Sequence, residues 1–328
     1  MGRKTDALER IATALERIAA ALERPPAAAV EAPAAPAPQS LRAEAAPGSA
    51  LPGPRAEAAA VVTGAPAGQL PGGVEATAAQ IEAPAGDRTG LLRAWLGRRG
   101  VTVQREKGAA IEEEALLPIA RFIGTQYERV KLVIDALKRG SAEGTVQSVS
   151  LKEQAPAVVT CSTHLSHQLH ELALIEAFKY HRAPAYQLHL TPSRLPTAVY
   201  FITGGWLELY VRAVVLKALR AAHPEGAFSL LENLQVTLPT GEDFELDLLF
   251  EVEGEVWWVE MKSGGFQRHI AKYNRISRLL RLPPSRCFMV LCEANAEVCA
   301  KLSSLFAMSV IPVADAEAAL SESIGSSA

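Results

Sequence analysis

The chain has 328 residues, 33 Lys and Arg against 36 Asp and Glu, and a formal net charge of −3. That balance excludes a surface that is basic throughout, so contact with a polyanion has to come from a local patch. Four cysteines without a C-x-x-C pair (Cys161, Cys287, Cys292 and Cys299) argue against a disulfide scaffold or a cysteine zinc site. The sequence shows no secretory signal and no apolar run of spanning length. The expectation is a soluble, cytoplasmic protein with no membrane partner.

Residues 1–24 carry a seven-residue repeat. Leu8, Leu15 and Leu22 alternate with Ile11 and Ile18, and Pro25-Pro26 closes the run. Leu at a and Ile at d favour more than two strands, so a coiled coil is expected to make a homo-oligomer through residues 5–24. So short a helix is marginal alone, and docking on the protein's own surface is the other reading. Residues 25–88 are mostly Ala, Pro and Gly, with too few large apolar side chains to bury. They read as a disordered linker.

Residues 89–197 read as a mainly helical module. Helices are expected over 91–99, over 112–139 and over 162–178. In the last, Ser162 offers an N-cap, and Leu165, Leu169, Leu172 and Ile175 share a face. A strand is expected near 146–151, and 178–190 reads as a hairpin turning at Arg182-Ala183-Pro184. Helices followed by a hairpin suggest a winged helix-like module with 162–177 as recognition helix. That helix holds Glu171 and Glu176 and no Lys or Arg, so a structural or protein-binding role stands beside it. His164, His167 and His170 fall at intervals of three, but without convincing Asp, Glu or Cys partners they read as ordinary surface or core histidines.

From 198 to 315 helices and strands alternate. The pattern predicts a helix over 204–221 and strands over 233–238, 244–251 and 255–262. A helix over 266–282, a strand over 286–292, a helix over 295–306 and a strand over 308–313 follow, and 316–328 reads as a tail. This is an α/β module, a small mixed sheet with helices on its faces.

Charged residues on two neighbouring strands of that module carry the chemistry. Asp247 lies in an apolar strand, and Glu260-Met261-Lys262 ends the next one. Side chains alternate along a strand, so Glu260 and Lys262 share a face, and a hairpin across 253–255 lets Asp247 approach them. Two carboxylates make an oxygen site for Mg²⁺ or Mn²⁺, and an ammonium can orient a water and offset charge on a phosphoryl oxygen. The Met261 carbonyl could add a ligand. Glu208, in the first turn of the 204–221 helix, could add another, although the helix dipole also accounts for it. Glu245 shares a strand face with Asp247 and is a weaker candidate. From Lys262 to Arg286 there are seven Lys or Arg and no Asp or Glu. Within that run Arg268, Lys272, Arg275 and Arg278 are the candidates to meet backbone phosphates.

Glu208, Asp247 and Glu260-x-Lys262, in that order on that run of elements, resemble the PD-(D/E)xK nuclease superfamily. Gly204-Gly205-Trp206-Leu207-Glu208 further resembles the nuclease domain of CRISPR ancillary effectors activated by cyclic oligoadenylates. The match covers about residues 198–315. Leu246 stands where the family has Pro, and no Rossmann-like sensor precedes residue 198. The resemblance implies a restriction-endonuclease-like sheet and a metal-dependent phosphodiesterase. In it Asp247 and Glu260 are ligands, Lys262 positions the water and Glu208 is accessory. It also implies DNA rather than RNA as substrate, because most of the superfamily acts on DNA. The alternative is a non-catalytic nucleic acid-binding or scaffold protein on the same fold. The intact Asp247, Glu260 and Lys262 argue for cleavage.

Overall fold

The computed structural model describes residues 89–106, 112–225, 228–268 and 270–326. The heptad segment and the Ala/Pro-rich stretch lie outside them. Thr89–Gly97 forms α1 and Thr102–Glu106 forms β1. Next come α2 (Glu112–Thr125), α3 (Tyr127–Glu143), β2 (Gln147–Ser150) and α4 (Pro156–Glu171). A hairpin of β3 (Ile175–His181) and β4 (Gln187–Pro192) leads to α5 (Pro196–Tyr200), a connecting turn at Phe201–Gly205 that kinks at Gly204, and α6 (Trp206–Ala222). The chain continues through β5 (Phe228–Thr237), β6 (Asp243–Val252), β7 (Glu255–Lys262) and α7 (Ile270–Leu280). It ends with β8 (Cys287–Leu291), α8 (Ala296–Leu305), β9 (Ser309–Pro312) and α9 (Ala316–Gly325).

Six strands form a mixed sheet in the order β1-β5-β6-β7-β8-β9. The pairs from β1 to β7 are antiparallel, whereas β7-β8 and β8-β9 are parallel. β7 and β8 sit centrally and are buried on both faces, which explains their unbroken apolar runs Val256-Trp257-Trp258-Val259 and Cys287-Phe288-Met289-Val290-Leu291. The β6–β7 turn has Glu253 and Gly254 both at positive φ, the geometry that suits a tight hairpin. Buried Glu251 fixes it by accepting from the Gly254 N–H at 2.6 Å and the Ser229 hydroxyl at 3.1 Å. A second, three-stranded antiparallel sheet has the order β2-β4-β3.

Helices flank the large sheet on both faces. One core joins a face of the sheet to α2, α3, α4, α6 and α9. The other joins the opposite face to α1, α7 and α8. The run Pro196–Ala222 is long and apolar enough to cross a membrane by length and composition, contrary to the sequence reading. Here it is a core helix, with Trp206, Leu207, Val211, Val215 and Leu219 buried.

Several elements differ from expectation. The 112–139 helix is two helices, broken at Gln126, whose backbone leaves the helical region. α4 begins at Pro156, which suits a first helical position, so Ser162 is a buried mid-helix residue and not a cap. That helix stops at Glu171, and Ala173 takes a positive φ, so Phe178 belongs to β3. Residues 316–325 form a helix with Ala316, Leu320 and Ile324 buried against the core.

Candidate active site

The site grows out of a fault in the sheet. The β5–β6 register runs in step from Phe228 opposite Val252 to Thr237 opposite Asp243. Asn233 and Asp247, which that register sets opposite each other, drop out of it. Asn233 adopts a left-handed backbone, φ 46°, a conformation Asn tolerates better than most residues. The β6–β7 pairing also stops at Leu248 opposite Val259. Beyond that point the Met261 N–H donates to Asp247 Oδ2 at 2.8 Å, so a side chain replaces a main-chain acceptor. Leu246 and Leu248, two residues apart, consequently belong to opposite cores. Asp247 therefore stands where the β6–β7 ladder ends, its side chain bridging the two strands.

Three of the residues singled out in the sequence meet there. Lys262 Nζ lies 2.6 Å from Glu260 Oε1 and 3.5 Å from Asp247 Oδ2. The side chains of Glu260, Asp247 and Lys262 are 1%, 12% and 24% exposed. Tyr273 of α7 places its ring 5.2 Å from the ammonium. Glu208 lines a cavity together with Asp247 and Met261, and its Oε2 accepts a hydrogen bond from the Tyr200 hydroxyl. Glu245 borders a groove on the other side of Asp247, with Glu260, Lys262, Lys272 and Tyr273.

The electrostatics follow from burial. It pushes the Asp247 carboxyl up to about 6, against the opposing pull of Lys262 and the Met261 N–H. Burial and then Asp247 itself raise Glu260 well above the ordinary carboxyl range. Burial disfavours the Lys262 ammonium, but Glu260 and Asp247 outweigh it and hold its pKa above the usual lysine value. Two carboxyls facing one cation in a low-dielectric setting thus hold on to a proton more readily than free carboxyls do. The Tyr273 hydroxyl is pushed up to about 12 by burial and Glu260, and stays protonated near neutrality.

These donors fit a magnesium-sized ion. Glu260 Oε2 is buried with no hydrogen-bond partner among the described residues, and a cation would satisfy it. Such an ion needs only one or two carboxylates because it keeps several waters. Among the described residues no group of three or more His, Cys, Asp or Glu forms a ready-made cage, which includes the α4 histidines.

The basic residues are distributed differently. Lys272 Nζ and Arg275 Nη2 both bind Glu242, at 2.9 and 2.6 Å, and Lys272 Nζ lies 5.0 Å from the centre of the Phe244 ring. Arg278 is exposed, and the Arg268 side chain lies outside the described residues. Sequence reasoning passed over Tyr200, Asn233, Lys138 and Tyr273. The last was legible in principle, since Tyr273, Ile276 and Leu280 share helical spacing. Lys138 of α3 donates to the Ser263 carbonyl at 2.5 Å, and Ser263 Oγ donates to the Thr203 carbonyl at 2.5 Å. These bonds tie down the chain directly after Lys262.

No family model and no curated protein matches the chain. Protein VC1899 from Vibrio cholerae is similar in structure at 17% identity and a TM-score of 0.49, over 71% of this chain and 62% of that one. Can2 from Sulfobacillus thermosulfidooxidans, solved in complex with cyclic tetra-adenylate, is similar at 14% identity and a TM-score of 0.49, over 71% and 60%. The chain thus spans about three fifths of the length of either.

Proposed function

We propose that this protein is a metal-dependent nuclease of the PD-(D/E)xK type that hydrolyses nucleic acid phosphodiester bonds, DNA ahead of RNA. The observation that carries this reading is the meeting of Asp247, Glu260 and Lys262 around Glu260 Oε2, which has no hydrogen-bond partner among the described residues. Asp247 and Glu260, with the Met261 carbonyl and Glu208 as accessories, would hold Mg²⁺ or Mn²⁺. When bound, such an ion supplies Lewis acidity toward a phosphoryl oxygen and lowers the pKa of a water.

The chain's own residues do the rest. Lys262, kept cationic by its two carboxylates, orients the attacking water and offsets charge growing on the phosphoryl oxygens. Tyr200 holds the Glu208 carboxylate through its hydroxyl. Lys138 and Thr203 fix the Ser263 turn and so the end of β7. Lys272, Arg275 and Arg278, with Arg268, meet the backbone phosphates, and Glu242 is exchanged for phosphate on binding. Self-association through residues 5–24 would gather several such centres on one assembly.

The test incubates the full chain, beside Lys262→Ala and Asp247→Ala, with labelled single- and double-stranded DNA and RNA in Mg²⁺, Mn²⁺ or chelator. Cleavage that disappears in both variants and in chelator supports the proposal and names the substrate. Cleavage retained by the variants, or none by the parent protein on any strand, overturns it.

A further inference from the structure

A cavity of about 230 Å³ opens beside Asp247, on the side of the sheet that carries Glu208. For scale, a buried apolar cavity of about 150 Å³ takes up benzene. Its walls are apolar and aromatic: Leu116, Phe201, Leu209, Leu248 and the ring of Tyr200. Polar groups meet it at Asn233 and at the Arg212–Glu232 ion pair. Asp247 and Met261 belong to this cavity, and Asp247 also borders the groove that holds Glu260, Lys262 and Lys272. One side of Asp247 is therefore a polar channel with cations, and the other is an apolar pocket with a few hydrogen-bonding groups. A nucleotide has the same division, a phosphate on one side and a flat, largely apolar base with a polar edge on the other.

We infer that the pocket takes one unstacked nucleobase, that of a nucleotide flanking the scissile phosphate. This rests on the nuclease reading of Asp247, Glu260 and Lys262 and deepens it. Tyr200 offers a face on which any base can stack. Asn233, turned by its left-handed backbone, offers an amide able both to donate to and to accept from a base edge. A base enters only if it is free of its stack, so the substrate is single-stranded at the cut or has the base flipped out. Base identity at this position is then one determinant of where the strand is cut.

The experiment maps a cleaved bond in a labelled single strand with Mn²⁺, then makes the nucleotide on either side abasic in turn. The expected result is that one abasic strand, and not the other, is cut about 10-fold or more slowly at limiting substrate, within the range that base–aromatic stacking spans. Leu116→Trp, which fills the pocket away from Asp247, should slow cleavage of the intact strand about as much and leave that abasic strand unaffected. Asn233→Asp keeps a side chain that tolerates the left-handed backbone and removes the amide donor. It should change the ranking of the four bases at that position. Equal cleavage of both abasic strands and the intact one overturns the pocket and leaves the nuclease reading standing. A second arm needs no cleavage: in chelator, a strand carrying 2-aminopurine should change its emission on binding, and Leu116→Trp should abolish that change. This signal from a protein that cuts nothing would keep the pocket and reject the nuclease reading. Its absence overturns the pocket.

Discussion

Replacing Asp247 by Asn should make the metal-free protein more stable, and the gain should depend on pH in a fixed direction. The Asp247 carboxyl sits at about 6 in the folded chain against an ordinary 3.8. At 1.36 kcal/mol per tenfold change in proton affinity, keeping it ionised costs the folded state about 3 kcal/mol. Below pH 3.8 the group is protonated in both folded and unfolded chains, and the cost vanishes. It grows as pH rises through the interval up to about 6 and is complete above it. The neutral amide keeps an oxygen for the Met261 N–H and escapes the cost. In chelator at pH 8, thermal unfolding of Asp247→Asn should lie about 6–12 °C above the parent, using roughly 2–4 °C per kcal/mol for a fold of this size. The gap should close toward pH 4. Added Mn²⁺ should reverse the order: at about a thousand times its dissociation constant an ion adds about 4.1 kcal/mol to the parent, and the variant should gain little. A variant no more stable than the parent at pH 8 in chelator, or a gap that does not change with pH, would refute the claim that Asp247 is held ionised at a cost.

Lys262→Ala removes the ammonium that pairs with Glu260 Oε1 and should lower the cleavage rate by about 100-fold or more, in the range seen when one charge-stabilising donor is lost, as single-turnover kinetics would show. Glu242→Ala releases Lys272 and Arg275 and should tighten binding to an oligonucleotide in chelator, whereas Lys272→Ala should lower the slope of log affinity against log salt by about 1. In Gly205→Ala the new methyl would sit 2.6 Å from the Tyr200 ring, so the variant should lose about 1–3 kcal/mol by denaturant unfolding and lower activity by displacing the tyrosine that holds Glu208. Lys138→Ala should slow turnover about 10-fold while leaving the substrate concentration dependence little changed, because loss of a bond worth roughly 1–2 kcal/mol frees the Ser263 turn and not the binding groove.

The approach of Asp247 to Glu260 and Lys262 was legible because it needs only local rules. A strand alternates with period two, and Glu253-Gly254 is a natural hairpin turn, so residues on the two arms face one another. The mixed sheet flanked by helices was legible for the same reason, since each apolar run has its own period. What was hidden depends on chain segments far apart in sequence. Lys138 meets Ser263 across 125 residues, and no local pattern marks a lysine on α3 as a brace for β7. The pairing of Glu242 with both Lys272 and Arg275 likewise arises only when the β5–β6 turn folds over α7. α9 was missed because its apolar residues are few, and its burial is conferred by α6 and by Trp257, which donates to the Ser323 hydroxyl at 3.2 Å.

Irregularities of the backbone collect around Asp247. Asn233 is left-handed and unpaired opposite it. The helical run from α5 to α6 kinks at Gly204, where Tyr200 packs against Gly205 and onto Glu208. The β6–β7 ladder stops one residue short of Asp247. The unpaired Asn233 and the interrupted ladder cost stability that an idealised sheet would keep, and residues in strained conformations cluster at functional sites. A purely structural sheet gains nothing from a buried carboxylate at a broken ladder; closing the ladder with an apolar residue would serve it better. At this broken ladder the Asp247 carboxylate, held by the Met261 N–H, instead faces Lys262 beside Glu260, the arrangement on which the proposed chemistry depends.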